Sequence, residues 1–236
     1  MIPSPAPPPQ RTGPGFPSRE PEVPLTIVPE TPSRLVVIHP LVVRITHWIN
    51  AVAVFCMLFS GWAIYNASPL FPFEFPKWAT LGGWLGGALA WHFAAMWLFA
   101  FNGLAYLIYG LLARHFATTF LPLTPGAIWR DARAALRFRL VHRIGRYNAV
   151  QRLAYGVAIA LGLLLVASGC ALWKPVQWQA LANLFGGYEW ARRVHFAAMA
   201  GLGGFILLHL ALVAIVPSTL LAMITGRARV TEETVR

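Results

Sequence analysis

The sequence predicts an all-α membrane protein, a bundle of four transmembrane helices, and three observations carry that prediction. Hydrophobic residues make up 57% of the 236 positions and charged residues only 11%. The mean hydropathy of +0.58 is too apolar for an ordinary soluble domain. Four apolar segments, at about 40–65, 86–112, 150–173 and 194–217, are each long enough to cross a hydrocarbon layer of about 30 Å, and none alternates with the period of two that a barrel strand needs.

The net charge of +11 is sorted by side. Between the second and third spans lie Arg114, Arg130, Arg133, Arg137, Arg139, Arg143 and Arg146, with Arg152 just inside the third. Arg11, Arg19, Arg34, Arg44, Arg227, Arg229 and Arg236 flank the two ends. The opposite side has only Lys77, Lys174, Arg192 and Arg193. By the positive-inside rule both termini are cytoplasmic, and the basic excess meets anionic lipid. No aromatic-interleaved basic module accompanies the charge, which argues against nucleic acid.

Taken in order, residues 1–37 are a proline-rich tail expected to be disordered. The transmembrane domain fills 38–226, and 227–236 form a second cytoplasmic tail. No apolar run precedes the first span, so no cleaved signal peptide is expected. Pro40 suits a first helical turn and places His47 roughly 10 Å inside, whereas His39 precedes the helix where water or headgroups reach it. The stretch 66–85 is a loop punctuated by proline and glycine, with an interfacial wedge of Phe71, Phe73, Phe75 and Trp78.

The second span carries His92 about six residues from its outer start and ends at His115 on the cytoplasmic surface. Residues 117–146 contain a basic amphipathic helix with Trp129, Leu136, Phe138 and Leu140 available to headgroups; it reads as a membrane-surface helix without chemistry, His142 included. The third span has no histidine but a polar inner end of Tyr147, Asn148, Gln151 and Arg152. Such residues face a cavity or ligand, or they cap the helix. In the fourth span His195 and His209 lie fourteen residues apart, with Gly201, Gly203 and Gly204 between them, where a flat macrocycle or a neighbouring helix could approach.

Fourteen residues come within about 40° of four full turns and rise roughly 21 Å, so both imidazoles of the fourth span point one way at two depths. His47 matches the depth of His209, and His92 that of His195. Five residues at 92–96, His-Phe-Ala-Ala-Met, recur at 195–199, which hints at a duplication. Histidine is costly in a membrane helix, and haem iron is the commonest reason for such opposed pairs. The prediction is therefore a bundle enclosing two b-type haems, with His47 and His209 on the inner iron and His92 and His195 on the outer. Arg44, one turn before His47, can meet a haem propionate or serve as a positive-inside anchor. Cys56 and Cys170 are packing residues, too few for an iron–sulfur cluster from this chain alone.

These residues resemble the bacterial di-haem cytochrome b561-type family, the membrane cytochrome b subunits found with formate dehydrogenase-N, nickel–iron hydrogenase and thiosulfate reductase. The resemblance covers about residues 38–227 and rests on R-x-x-H-W-x-N-A at Arg44, His47, Trp48, Asn50 and Ala51, and on H-x13-H at His195 and His209. It implies the same ligand pairing, and a quinone beside the inner haem near a Y-N-A-G-Q-K run. The matching run here is Tyr147-Asn148-Ala149-Val150-Gln151-Arg152, with valine for glycine narrowing the space at the ring. Asn148 and His209 are the candidates carried over. The stretch N-G-L-x-Y-L-x-Y-G from Asn102 to Gly110 resembles a subgroup that accompanies sulfite-oxidase-like molybdopterin proteins.

The function so implied is an electron conduit between a quinone near the cytoplasmic face and a periplasmic redox subunit, a molybdopterin protein or a hydrogenase, docked on loops 66–85 and 174–190. One alternative is a stand-alone superoxide:quinone oxidoreductase, with Lys77, Lys174, Arg192 and Arg193 steering the anion. A non-redox membrane anchor is the other.

Overall fold

The computed structural model describes residues 34–116, 121–137 and 147–230. Strand β1 (Arg34–Val37) precedes α1 (Leu41–Ala67) and α2 (Leu85–Leu112). The amphipathic α3 (Pro125–Leu136), then α4 (Ala149–Trp173), the short α5 (Gln179–Leu184), α6 (Tyr188–Ile215), α7 (Ser218–Thr225) and β2 (Arg227–Val230) follow. Among the described residues α1, α2, α4 and α6 are long and apolar enough to cross a membrane. The fold is the all-α four-helix membrane bundle that the hydropathy pattern predicts.

Each helix starts and stops for a local reason. Pro40, extended at ψ 148°, leads into α1, and prolines at 69 and 72 cannot continue it. Asn148 and Gln151 form a reciprocal capping box at the start of α4, and Thr124 caps α3 with Pro125 in its first turn. Gly186 and Gly187, at φ of +86° and +95°, turn the chain into α6, whose first-turn Glu189 complements the helix dipole. Helix α6 therefore begins at Tyr188 rather than at 194. Glu189, Arg192 and Arg193 lower the hydropathy of this turn without stopping the helix, because Arg192 bonds back to Glu189 and to the Ser68 carbonyl at 2.6 Å.

Packing is concentrated within two hairpins: α1 lies along α2, and α4 along α6. Their seams are made of small residues. Ala53, Ser60, Ala88, Ser168, Ala171 and Ala191 are wholly buried, and no described side chain larger than serine is. Small seams let helix backbones approach in lipid, where van der Waals contact drives association. Asn102 of α2 adds a polar clasp, donating to the Thr46 carbonyl at 2.8 Å and to Asn50 Oδ1 at 2.7 Å.

The chain ends depart from expectation. Residues 34–37 and 227–230, assigned above to tails, pair as an antiparallel two-stranded sheet with Arg34 opposite Val230 and Val37 opposite Arg227. The Ile38 N–H donates to the Gly226 carbonyl at 2.9 Å, and Gly226 ends α7 in the left-handed conformation at φ +78° that glycine favours. Phe138, Leu140, His142, Arg139, Arg143 and Arg146, together with residues 1–33 and 231–236, lie outside the described residues.

Candidate functional site

Two pairs of imidazoles face each other across the gap between the hairpins. His47 of α1 and His209 of α6 have ring centroids 6.3 Å apart at an interplanar angle of 61°. His92 of α2 and His195 of α6 stand 6.5 Å apart at 64°. The first pair lies toward the end of the bundle that carries the termini, here the terminal end. The second lies toward the 68–84 and 174–187 loops, the loop end. An imidazole nitrogen bonds a metal at about 2.0–2.1 Å and sits about 1.1 Å from its ring centre, so two rings sharing one metal have centroids about 6.3 Å apart. Both pairs have that spacing.

Two further observations fit a large prosthetic group between the hairpins. Among the described residues no bulky side chain is fully buried there. His47 Nδ1 is itself buried without a hydrogen-bond partner, as is Trp62 Nε1. Of the glycines in α6, Gly201 serves helix packing, since a Cβ there would lie 3.3 Å from the Leu161 side chain, whereas Gly203 and Gly204 border open space.

At the loop end each imidazole is held from behind. Ser60 Oγ lies 3.1 Å from His92 Nδ1, and the Met57 carbonyl is equally close. Ser168 Oγ lies 2.9 Å from His195 Nδ1. The sequence reading missed these serines. The signal that could have found them is the dipeptide Ser-Gly, at 60–61 and again at 168–169, which accompanies the repeated His-Phe-Ala-Ala-Met. Phe196 of that repeat packs on Tyr65, Phe71 and Phe73, closing the loop end with aromatic rings. Three of the four loop-end cations are engaged: Arg192 with Ser68 and Glu189, Arg193 over Trp190 and Lys174 over Trp173; Lys77 is exposed.

The terminal end differs in chemistry. Arg44 donates from Nε to the Met223 carbonyl at 3.3 Å and from a terminal nitrogen to the Ile224 carbonyl, so its guanidinium holds the last turn of α7. Asn148 Oδ1 accepts from the Gln151 N–H at 2.8 Å and Gln151 Oε1 from the Asn148 N–H at 3.2 Å. The capping account of this polar cluster therefore describes their oxygens and leaves the amide nitrogens as donors. Asp131 of α3 accepts from the Ala149 N–H at 2.8 Å, which gives the amphipathic helix a role in fixing α4. Arg152 donates to the Tyr147 and Pro122 carbonyls.

A run of rings joins this cluster to the histidines. Tyr147 lies 5.2 Å from Tyr155, Tyr155 lies 6.4 Å from Phe205, and Phe205 stacks on His209 at 6.0 Å. Burial, then the neighbouring Tyr155 and Tyr106, push the Tyr147 phenol up to about 12. His39 is lowered by burial, then by Arg44 and His115, and His115 by burial.

A bundle of four membrane helices that opposes histidines across its interior is the architecture of a membrane cytochrome b. The chain matches the family described as prokaryotic cytochrome b561 over residues 38–226, and it belongs to that family. It is 54% identical over 190 residues, spanning 80% of this chain and 96% of the relative, to the putative protein-methionine-sulfoxide reductase subunit YedZ1 of Azospira oryzae. The protein is thus a multi-pass bacterial membrane protein of a family that carries b-type haem and transfers electrons.

Proposed function

We propose that the chain holds two haems b and conducts electrons between a quinone at the terminal end and a redox subunit at the loop end. The observation that carries this reading is the pair of opposed imidazoles at each of two depths, with α6 contributing to both. His47 and His209 would hold one haem, and His92 and His195 the other; bound there, haem supplies one-electron transfer. With an imidazole offered from each side, a haem bound there would be suited to electron transfer and not to oxygen binding. The apolar helices exclude water, and Asn102 keeps α1 and α2 in register beside His47.

At the terminal end the Asn148 and Gln151 amides are suited to donate to a quinone oxygen, and Arg152 is held off by its two backbone carbonyls. Arg44 remains a candidate for a propionate through the donors that α7 does not use. The relative's name supports a partner that reduces oxidised methionine in proteins, in place of a dehydrogenase or hydrogenase. The reaction balances with a quinol as reductant. Quinol gives up two electrons and two protons, and methionine sulfoxide becomes methionine and water. The resemblance of Asn102–Gly110 to chains that accompany molybdopterin proteins supports that cofactor class for the partner.

Reduced-minus-oxidised spectra and haem-to-protein ratios of the purified chain test the reading. Two low-spin b-type haems per chain are expected. His209→Ala should lose the terminal-end haem and His195→Ala the loop-end haem; a variant that keeps both overturns the ligand assignment. Rapid quinone reduction by superoxide with the lone chain would favour the stand-alone enzyme, three of whose four steering cations, Lys174, Arg192 and Arg193, are committed to local contacts.

A further inference from the structure

We propose that Ser60 and Ser168 are positioning residues that lock His92 and His195 in one tautomer and lower the reduction potential of the loop-end haem alone. The inference rests on the two-haem reading above.

Each serine spends its one proton on its own helix. Ser60 Oγ donates to the Cys56 carbonyl at 2.6 Å, and Ser168 Oγ to the Leu164 carbonyl at 2.6 Å. What each oxygen then offers the imidazole is a lone pair, at 3.1 Å for His92 and 2.9 Å for His195. At His92 the Met57 carbonyl, three residues before Ser60, is a second neighbour of Nδ1 at 3.1 Å. A carbonyl can only accept. An Nδ1 facing such lone pairs carries the hydrogen, so Nε2 is the nitrogen left with a lone pair for the opposite ring.

The cradle recurs in both hairpins. Ser60 and Ser168 are wholly buried, so water cannot replace either hydroxyl. Gly61 and Gly169 follow them, and a Cβ at either would lie 3.4 Å from Cε1 of the same imidazole. The ring thus rests on a Ser-Gly step of the helix it packs against. At the terminal end His47 Nδ1 is buried with no partner. The two pairs therefore differ in the support behind the ligand nitrogen. A hydrogen bond given by Nδ1–H makes Nε2 a stronger donor, which stabilises ferric over ferrous iron and lowers the potential.

The test is a potentiometric titration of the purified, haem-loaded chain and of Ser60→Ala, Ser168→Ala and the double variant. Low-spin ferric resonance checks that both ligands stay on. One of two redox waves should move to more positive potential in each single variant and further in the double, while the other stays. Ser168→Thr keeps a hydroxyl that can bond the carbonyl four residues back, as Thr46 bonds Val42 here at 2.8 Å, and should leave the wave near its wild-type position. Waves that ignore both alanine variants, waves that shift together, or a threonine variant that moves as far as alanine overturn the assignment. A wild-type chain without two waves defeats the two-haem reading as well.

Discussion

Asn148 offers a way to separate a cap from a substrate contact, because its two side-chain atoms have different partners. Its oxygen accepts the Gln151 N–H at 2.8 Å and so satisfies a donor that the first turn of α4 would otherwise leave bare. Alanine removes this bond and costs about 0.5–2 kcal/mol, whereas serine caps about as well as asparagine. Neither replacement keeps the amide NH2, the group proposed to meet the quinone oxygen. A neutral hydrogen bond is worth about 0.5–1.5 kcal/mol net, which is roughly a 2- to 13-fold change in apparent affinity. Quinol oxidation by the reconstituted chain gives KM, and hydrogen exchange over residues 149–153 gives the local stability. Asn148→Ser should raise KM by that factor with exchange unchanged; Asn148→Ala should raise KM equally and speed exchange. If the serine variant keeps the wild-type KM while alanine alters both, the cap is the whole role of Asn148 and the quinone contact is refuted.

Three other perturbations follow from the same geometry. A double-mutant cycle of Asn102→Ala and Asn50→Ala in detergent unfolding should give a coupling of about 0.6 to 1.7 kcal/mol, the range for interhelical hydrogen bonds in membranes; additive effects would refute the 2.7 Å contact. Arg44→Gln should speed hydrogen exchange over residues 218–230, where the guanidinium holds the Met223 and Ile224 carbonyls. Loss of the haem proposed for His47 and His209 with that exchange unchanged would instead favour the propionate role. Tyr147 has its folded value pushed from 10.0 up to about 12, so its contribution to stability is complete below pH 10 and is lost as pH rises toward 12, where the unfolded chain ionises first. Tyr147→Phe should flatten that part of the alkaline unfolding curve, and an unchanged curve would sink the assignment.

What could be read in advance followed from regular geometry. Helix pitch ties sequence spacing to depth, so His195 and His209 announced two levels and His47 and His92 their partners before any contact was known. The charge asymmetry likewise marked which connections share a side. Interactions without a local pattern stayed hidden. The strand Arg34–Val37 looks like the end of a proline-rich tail because its partner, Arg227–Val230, is at the far end of the chain. A serine in an apolar helix usually bonds its own backbone, as Ser60 and Ser168 both do, and only the packed neighbour reveals the second use of the oxygen. Arg44 was legible as a cation one turn from His47, but nothing in the apolar run that ends at Gly226 marked the α7 carbonyls it reaches.

The repeat that the loop end preserves is broken at the terminal end, and the break has a chemical meaning. Ser60 and Ser168, with His92 and His195, stand at equivalent places in the two hairpins. Carried along the same helices, the equivalence sets Tyr106, fourteen residues after His92, against His209, and Tyr155, thirteen before Ser168, against His47. The loop end therefore takes one imidazole and one serine from each hairpin. The terminal end takes its imidazoles from α1 and α6 and its phenols from α2 and α4, with Tyr155 in ring contact with Tyr147 and Phe205. Closed, symmetric support suits a ligand that stays. Phenols and free amides gathered on one side, next to the headgroup layer, suit a molecule that arrives, exchanges protons and leaves. The asymmetry thus favours the terminal end, rather than the aromatic-capped loop end, as the place where the proposed quinone would react.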